Sequence, residues 1–216
     1  MPKAGITYGP RIKAPKYEEI RETAEKDVLE ALGLERPEDL VAKARPDDLV
    51  VKAARVVEQA DAEIALHLDE RDQALAHLWF YEQRLGLAKT AGLSNVGYRQ
   101  ALARLLFGDK RHPLPTAESN KELMRIAGEA GLEELRGDVA EAQLLKTAPI
   151  VYAARARRDV AVRFLQEAVL ALSQPPYGWT PDQIAEHAGM ERSEVYKRRE
   201  AARKRHGLHV PRSATA

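Results

Sequence analysis

The sequence predicts an all-α protein from three observations. Alanine and leucine are abundant, whereas alternating runs of β-branched residues are missing. Apolar residues recur at helical spacing, and glycine, proline or aspartate separates the periodic segments. The 216 residues, 44% hydrophobic and 31% charged, have the balance of a globular chain with one large or two small domains. We expect two helical units and an N-terminal helical extension.

The N-terminal part of the chain is predicted to contain an arm and three helices. Residues 1–16 carry three prolines and two glycines, which favour a flexible arm. Residues 17–32 follow with apolar side chains near every fourth position, and Gly33 supplies the stop. Two further helices are predicted over 47–68 and over about 70–83, each with one apolar stripe.

A proline-containing segment divides the chain. Residues 109–118, which include Pro113 and Pro115, are predicted to link a domain at 17–108 to a second domain at 119–207. In the second domain, helices are expected near 119–130, 133–145 and 150–172, then a break at 173–179, a last helical stretch from 180 to 206, and a flexible tail at 208–216.

A short string recurs in the two predicted domains. Residues 88–94 read Ala-Lys-Thr-Ala-Gly-Leu-Ser, and residues 185–191 read Ala-Glu-His-Ala-Gly-Met-Glu. A small residue lets two short helices cross closely, and glycine suits the tight turn because it tolerates a positive φ. Ser94 suits the N-cap of the helix that follows, and Thr180 suits the start of the second leading helix. The repeat indicates either a duplicated unit or two ordinary helical corners.

An arginine–aspartate pair precedes each copy of the string. Arg71-Asp72 lies 20 residues before the first Ala-Gly, and Arg158-Asp159 lies 30 before the second. The extra residues fall in the proline-containing break, where insertions are tolerated. Between the first pair and its string, the aromatic run 79–81 is expected to pack in the core rather than stack on bases.

At these strings the chain resembles the helix-turn-helix DNA-binding family, in the form common to bacterial regulators and to the DNA-recognising region of sigma factors. The resemblance implies one helix-turn-helix at about 84–107 and another at about 180–206. The second copy departs at Glu191, where the family more often has Ser or Thr. The richness in Ala and Arg is typical of an actinobacterial protein or of an actinobacterial phage or plasmid.

The positive charge is concentrated near the C-terminus. The whole chain carries +1, yet residues 192–206 hold seven basic and two acidic residues, a net +5. A local basic segment of this kind is typical of polyanion binders. In the family, the second helix lies in the major groove, where Arg reads guanine and Asn or Gln reads adenine. The resemblance therefore implies DNA contacts from Ser94, Asn95, Arg99, Gln100, Arg192, Ser193, Tyr196, Lys197, Arg198, Arg199 and Arg203.

The same basic run has a simpler interpretation as a solvated helix face. Glu194 with Arg198, and Glu200 with Lys204, have the i,i+4 spacing of ordinary helical ion pairs.

Other chemistry has little support in the sequence. The chain has no cysteine, which removes disulfides and thiolate chemistry, and no apolar run approaches the length of a membrane span. His206 and His209 have no nearby third ligand, so neither a metal nor a cofactor is expected. Carboxylates adjacent in sequence point in different directions on a helix. We expect a non-enzymatic, cytoplasmic, nucleoid-associated protein.

Two functions remain open at this level. The first is a sequence-specific binder of double-stranded DNA, a transcriptional regulator that reads DNA through two helix-turn-helix motifs. Its other partners would be a second copy of itself or RNA polymerase. The alternative is an oligomeric assembly or partition factor of a phage or plasmid, of the terminase-small-subunit or partition type, whose helices mainly bind other proteins.

Overall fold

The structure, a computed structural model, describes residues 5–35 and 45–208. The described residues form eight helices and no strand, so the predicted all-α class is confirmed. The first four residues of the predicted arm, and the predicted tail after residue 208, lie outside the described residues. The helices are α1 (Tyr17–Leu32), α2 (Pro46–Phe80), α3 (Leu87–Thr90), α4 (Asn95–Phe107), α5 (Asn120–Glu129), α6 (Gly137–Leu172), α7 (Pro181–Ala188) and α8 (Arg192–Arg205).

Two pairs of predicted helices are single long helices. The segments expected at 47–68 and 70–83 form α2, because no glycine or proline separates them and the apolar stripe continues. The segments expected at 133–145 and 150–172 form α6, which contains Pro149. A proline inside a helix removes one hydrogen bond, at a cost of about 3 kcal/mol. Full burial of Ala148 and Val151, on either side of Pro149 in the sequence, helps to offset that cost.

The helices form two compact units, and each unit combines two separate stretches of the chain. Unit 1 contains Met1–Arg21 and Glu63–Ala153, and unit 2 contains Glu22–Ala62 and Ala154–Ala216. The proline-containing segment at 109–118, which was predicted to divide two domains, lies inside unit 1 instead. The grouping differs because α1, α2 and α6 each supply residues to both units.

Residues 5–16 pack as part of unit 1, where the sequence predicted a flexible arm. Ile12 is only 3% exposed and lies in an apolar cluster with Leu75 and Leu144. The amide of Thr7 donates to Oδ1 of Asn120 at 2.8 Å, and Nδ2 of Asn120 donates back to the carbonyl of Thr7 at 2.9 Å. One buried apolar side chain and a reciprocal pair of hydrogen bonds thus fix a segment that has no regular secondary structure.

Unit 2 has one apolar core. Its buried side chains come from α1 and Leu34 just after it, the first half of α2, the second half of α6, and both C-terminal helices. Ile184 of α7 and Val195 of α8 are completely buried in it. Each C-terminal helix is therefore anchored by a side chain that faces the core. Ala202 of α8 is also completely buried, so one face of α8 packs inward and the opposite face is left exposed.

Candidate nucleic-acid interface

The α7–α8 pair begins with a strong helix start and turns at a glycine. The amide of Gln183 donates to Oγ1 of Thr180 at 3.3 Å, and the amide of Thr180 donates to Oε1 of Gln183 at 2.8 Å. This reciprocal capping box, with Pro181 at the first helical position, confirms the predicted start. Gly189 ends α7 with a φ of 63°, and α8 begins three residues later.

The α3–α4 pair has the same turn but a much shorter leading helix. Gly92 also has a φ of 63°, and Oγ of Ser94 accepts from the amide of Gly97 at 3.0 Å, as expected for the N-cap of α4. However, α3 is only four residues long, whereas α7 has eight. The first pair therefore has one helical turn where the second has two.

The turns share a hydrogen bond that reaches back five residues. The amide of Leu93 donates to the carbonyl of Ala88 at 2.9 Å, and the amide of Met190 donates to the carbonyl of Ala185 at 3.0 Å. Together with a glycine in the left-handed conformation, this bond is the common glycine-terminated helix end. The shared string is thus explained by the way in which both leading helices end.

A third copy of this string was not recognised from the sequence. Residues 127–133 read Ala-Gly-Glu-Ala-Gly-Leu-Glu, and the amide of Leu132 donates to the carbonyl of Ala127 at 3.0 Å. Here the next helix starts only at Gly137, so no close helix pair follows. The string specifies a helix end, and the distance to the next helix decides whether a pair forms.

The upstream arginine–aspartate pairs are not structurally equivalent. Asp72 is 2% exposed and accepts hydrogen bonds from Arg71 and from Arg104. Asp159 is exposed, while its neighbour Arg158 binds Asp61 of α2 at 2.5 Å. The aspartate of the pair is thus a buried hydrogen-bond acceptor in the first copy and an exposed residue in the second.

One side of α8 carries an exposed cationic stripe. It consists of Arg192, Tyr196, Arg199 and Arg203, whose i, i+4, i+7, i+11 spacing places them along one face of the helix. Arg192 and Tyr196 are exposed, and Arg199 and Arg203 are partly exposed. We call these four residues the α8 stripe. All four are among the positions that the resemblance implied.

Two arginines of the α8 stripe flank its tyrosine. The guanidinium carbons of Arg192 and Arg199 lie 5.7 and 5.1 Å from the centre of the Tyr196 ring, within cation–π range. Arg192 also lies 3.3 Å from an oxygen of the exposed Asp182. Among the described residues, Arg199 and Arg203 form no ion pair. Their guanidinium groups therefore remain available to an external anion.

The other implied cations of α8 already have partners. Nζ of Lys197 donates to Oε1 of Glu194 at 2.6 Å, and Arg198 lies 3.1 Å from the other oxygen of the same carboxylate. The hydrogen bond from Lys197, and then the charge of Arg198, lower the pKa of Glu194, which keeps the pair ionised. Arg198 is also largely covered, with its side chain 18% exposed. Ser193 is exposed beside this cluster.

The α4 surface is much less positive. Ser94, Asn95, Arg99 and Gln100 are all exposed, although Oγ of Ser94 is engaged in the cap. The helix has one other cation, Arg104, which donates to Asp72 at 2.7 Å and to Asp69 at 3.0 Å. Arg99 is thus the one cation that α4 presents without an acidic partner among the described residues.

Other kinds of site find little support in the part of the chain that the structure describes. It contains no group of three or more residues arranged to hold a metal ion. Its helices include none with the length and apolarity that crossing a lipid bilayer requires. Comparisons with models of known families, with curated proteins and with solved structures find no match.

Proposed function

We propose that this protein is a sequence-specific binder of double-stranded DNA that acts as a transcriptional regulator, with α8 as its principal reading helix. The single observation that carries the proposal is the α8 stripe on the second helix of a close helix pair. The four side chains of α4 named above would add weaker contacts, because only one of them is charged.

The chemistry of the α8 stripe suits a DNA groove. A B-DNA major groove is about 12 Å wide and admits one α-helix. Arginine forms paired hydrogen bonds with the O6 and N7 atoms of guanine or with phosphate oxygens. Contacts with Tyr196 restrict Arg192 and Arg199 before DNA arrives, which reduces the entropy lost on binding.

The charge of α8 predicts a marked salt dependence. Counting Arg199, Arg203 and Lys204 as phosphate contacts gives three charges, and counterion release then gives a slope of log K against log salt of about −2.7. Four other cations are left out of this count because each is paired with a carboxylate: Arg192, Lys197, Arg198 and Arg205. Their contribution should be smaller than their charge alone implies.

The test begins with selection of duplexes from a random-sequence pool by the full chain. Affinity for the selected site is then measured by fluorescence anisotropy at several salt concentrations. We expect Arg199→Gln and Arg203→Gln each to weaken binding by about 5- to 100-fold, the range for one lost base or phosphate contact. Arg125→Gln is the matched control, because it removes the same charge from an exposed helix position already paired with Glu129.

The outcomes separate the two candidate functions. Loss of affinity confined to the α8 variants supports the proposal. Equal losses in all three variants, or no enriched duplex, would reject it. A ring or filament detected by light scattering, together with no DNA retention, would instead favour the assembly factor.

A further inference from the structure

Unit 1 contains a pocket that shares only Arg99 with the proposed DNA contacts. Its volume is about 300 Å³. Its walls come from α2, α4, α5, the N-terminal segment and the loop between α4 and α5. The lining residues are Ile6, Tyr8, Trp79, Phe80, Tyr98, Arg99, Leu102, Leu114, Pro115, Ala117 and Leu123.

The N-terminal wall of this aromatic pocket is fixed in place. Thr7 lies between two lining residues and forms the reciprocal hydrogen bonds with Asn120 described above. Nδ2 of Asn120 also donates to Oε1 of Gln83 at 2.7 Å, and the amide of Gly9 donates to the Gln83 carbonyl at 3.1 Å. The wall is therefore part of the folded unit and does not have to assemble around a ligand.

The lining favours a flat, unsaturated ligand. Four of its side chains are aromatic, and Trp79 and Tyr98 meet edge to face with their ring centres 6.2 Å apart. Aromatic rings prefer edge-to-face or offset neighbours, so these walls suit another ring. A volume of about 300 Å³ is at the lower end for small-molecule pockets and fits one or two rings.

The lining includes polar groups that have no partner among the described residues, among them the Tyr98 hydroxyl and the Arg99 guanidinium. The hydroxyl of Tyr98 makes no hydrogen bond there, and burial raises the pKa of this phenol, so it stays protonated and able to donate. Arg99 is the one charged residue of the lining and forms no ion pair with any described residue. A hydrogen-bond donor and a cation beside aromatic walls favour a ligand that carries an anionic oxygen.

We propose that the aromatic pocket binds a small aromatic carboxylate, with the ring against Trp79 and Tyr98 and the carboxylate on Arg99. The site would give the protein a small-molecule ligand, which goes beyond DNA binding and does not depend on it. A carboxylate suits the planar guanidinium better than a halide does, since two parallel hydrogen bonds can form.

The experiment uses the full chain with Trp179→Phe, which leaves Trp79 as the remaining tryptophan. Its emission is titrated, without DNA, with benzoate, with benzyl alcohol and with acetate. These probes supply the ring with the charge, the ring alone and the charge alone. We expect binding at millimolar concentration or better, with benzoate at least tenfold tighter than either other probe.

Two variants locate the site. Arg99→Met should weaken benzoate at least tenfold and leave benzyl alcohol within about twofold, because only the charge is lost. Ala117→Leu should weaken both ring probes at least tenfold by filling the pocket, provided that its helical circular dichroism is unchanged. Arg125→Met serves as the charge-matched control and should change neither.

The proposal is overturned if benzoate does not bind, if acetate binds as well as benzoate, or if Arg99→Met leaves benzoate affinity unchanged. Because Arg99→Met alters an exposed residue, misfolding of the Ala117 variant would not remove the test. DNA binding by α8 is measured separately, so failure of either proposal is distinguishable from failure of the other.

Discussion

The two turn glycines, Gly92 and Gly189, should respond very differently to the same substitution. Both have a φ of 63°, where a side chain costs about 1–2 kcal/mol. A Cβ at Gly189 would meet no atom within 4 Å. A Cβ at Gly92 would lie 2.8 Å from both Cδ2 of Tyr152 and Cε1 of Tyr17, which is closer than carbon atoms normally approach.

Moving either tyrosine away from Gly92 would break contacts that it makes in the folded protein. The hydroxyl of Tyr17 donates to the carbonyl of Thr90 at 2.5 Å, and the rings of Tyr17 and Tyr152 lie 4.5 Å apart. Overpacking of this kind costs about 1–3 kcal/mol. Gly92→Ala should therefore lower the free energy of unfolding by about 2–5 kcal/mol, and Gly189→Ala by about 1–2 kcal/mol.

Substitution by asparagine separates backbone strain from steric overlap, because asparagine tolerates the left-handed conformation but still carries a Cβ. Gly189→Asn should be close to neutral, whereas Gly92→Asn should be at least as harmful as Gly92→Ala. Urea unfolding measures these changes, with emission from Trp79 reporting unit 1 and emission from Trp179 reporting unit 2. Equal costs for the two alanine variants, or rescue of Gly92 by asparagine, would refute the steric explanation.

Three further changes test single interactions. Gly97 lies within α4, and a Cβ added there would meet no atom closer than 3.4 Å. Gly97→Ala should therefore raise the free energy of unfolding by about 0.5–1 kcal/mol, and a lower value in urea unfolding would contradict this. Asp72→Asn should lower the free energy of unfolding by about 3–5 kcal/mol, because it leaves the charge of the buried Arg71 uncompensated. Asp69→Asn is the control: the Asp69 side chain is 73% exposed, so the loss in the same assay should be under about 1 kcal/mol. Burial lowers the pKa of His77, so this side chain binds a proton more readily in the unfolded chain than in the folded protein. The free energy of unfolding should therefore fall as the pH drops below about 6.5, the ordinary pKa of histidine. His77→Gln should make the free energy of unfolding less dependent on pH, as measured by urea unfolding at a series of pH values. An unchanged pH dependence would contradict this explanation.

Local sequence patterns predicted the helix ends well. Ser94 caps α4, Thr180 caps α7, and Gly33 follows α1 in the left-handed conformation. These signals act within one or two helical turns, so neighbouring residues suffice to specify them. The gap expected between helices at 133–145 and 150–172 does not form. Helix α6 continues through Pro149, because the buried packing around this residue lies outside the local pattern.

The candidate interface was only partly predictable. The spacing of Arg192, Tyr196, Arg199 and Arg203 on one face can be read from the sequence once α8 is placed. The pairing of Arg205 with Glu167, 38 residues earlier, could not be read in this way. Nor could the covered position of Arg198. Which cations remain available thus depends on the neighbours that folding brings to them.

The sequence by itself determined the helical class, the main helix stops and the concentration of positive charge in α8, because each follows from periodicity, capping or composition within a short stretch. Tertiary structure alone decided that α1, α2 and α6 serve both units, that Arg158 binds Asp61 from 97 residues away, and that residues 5–16 form a pocket wall. The physical reason is that burial and ion pairing act through distance in space, and residues far apart in the chain become neighbours only when the core packs.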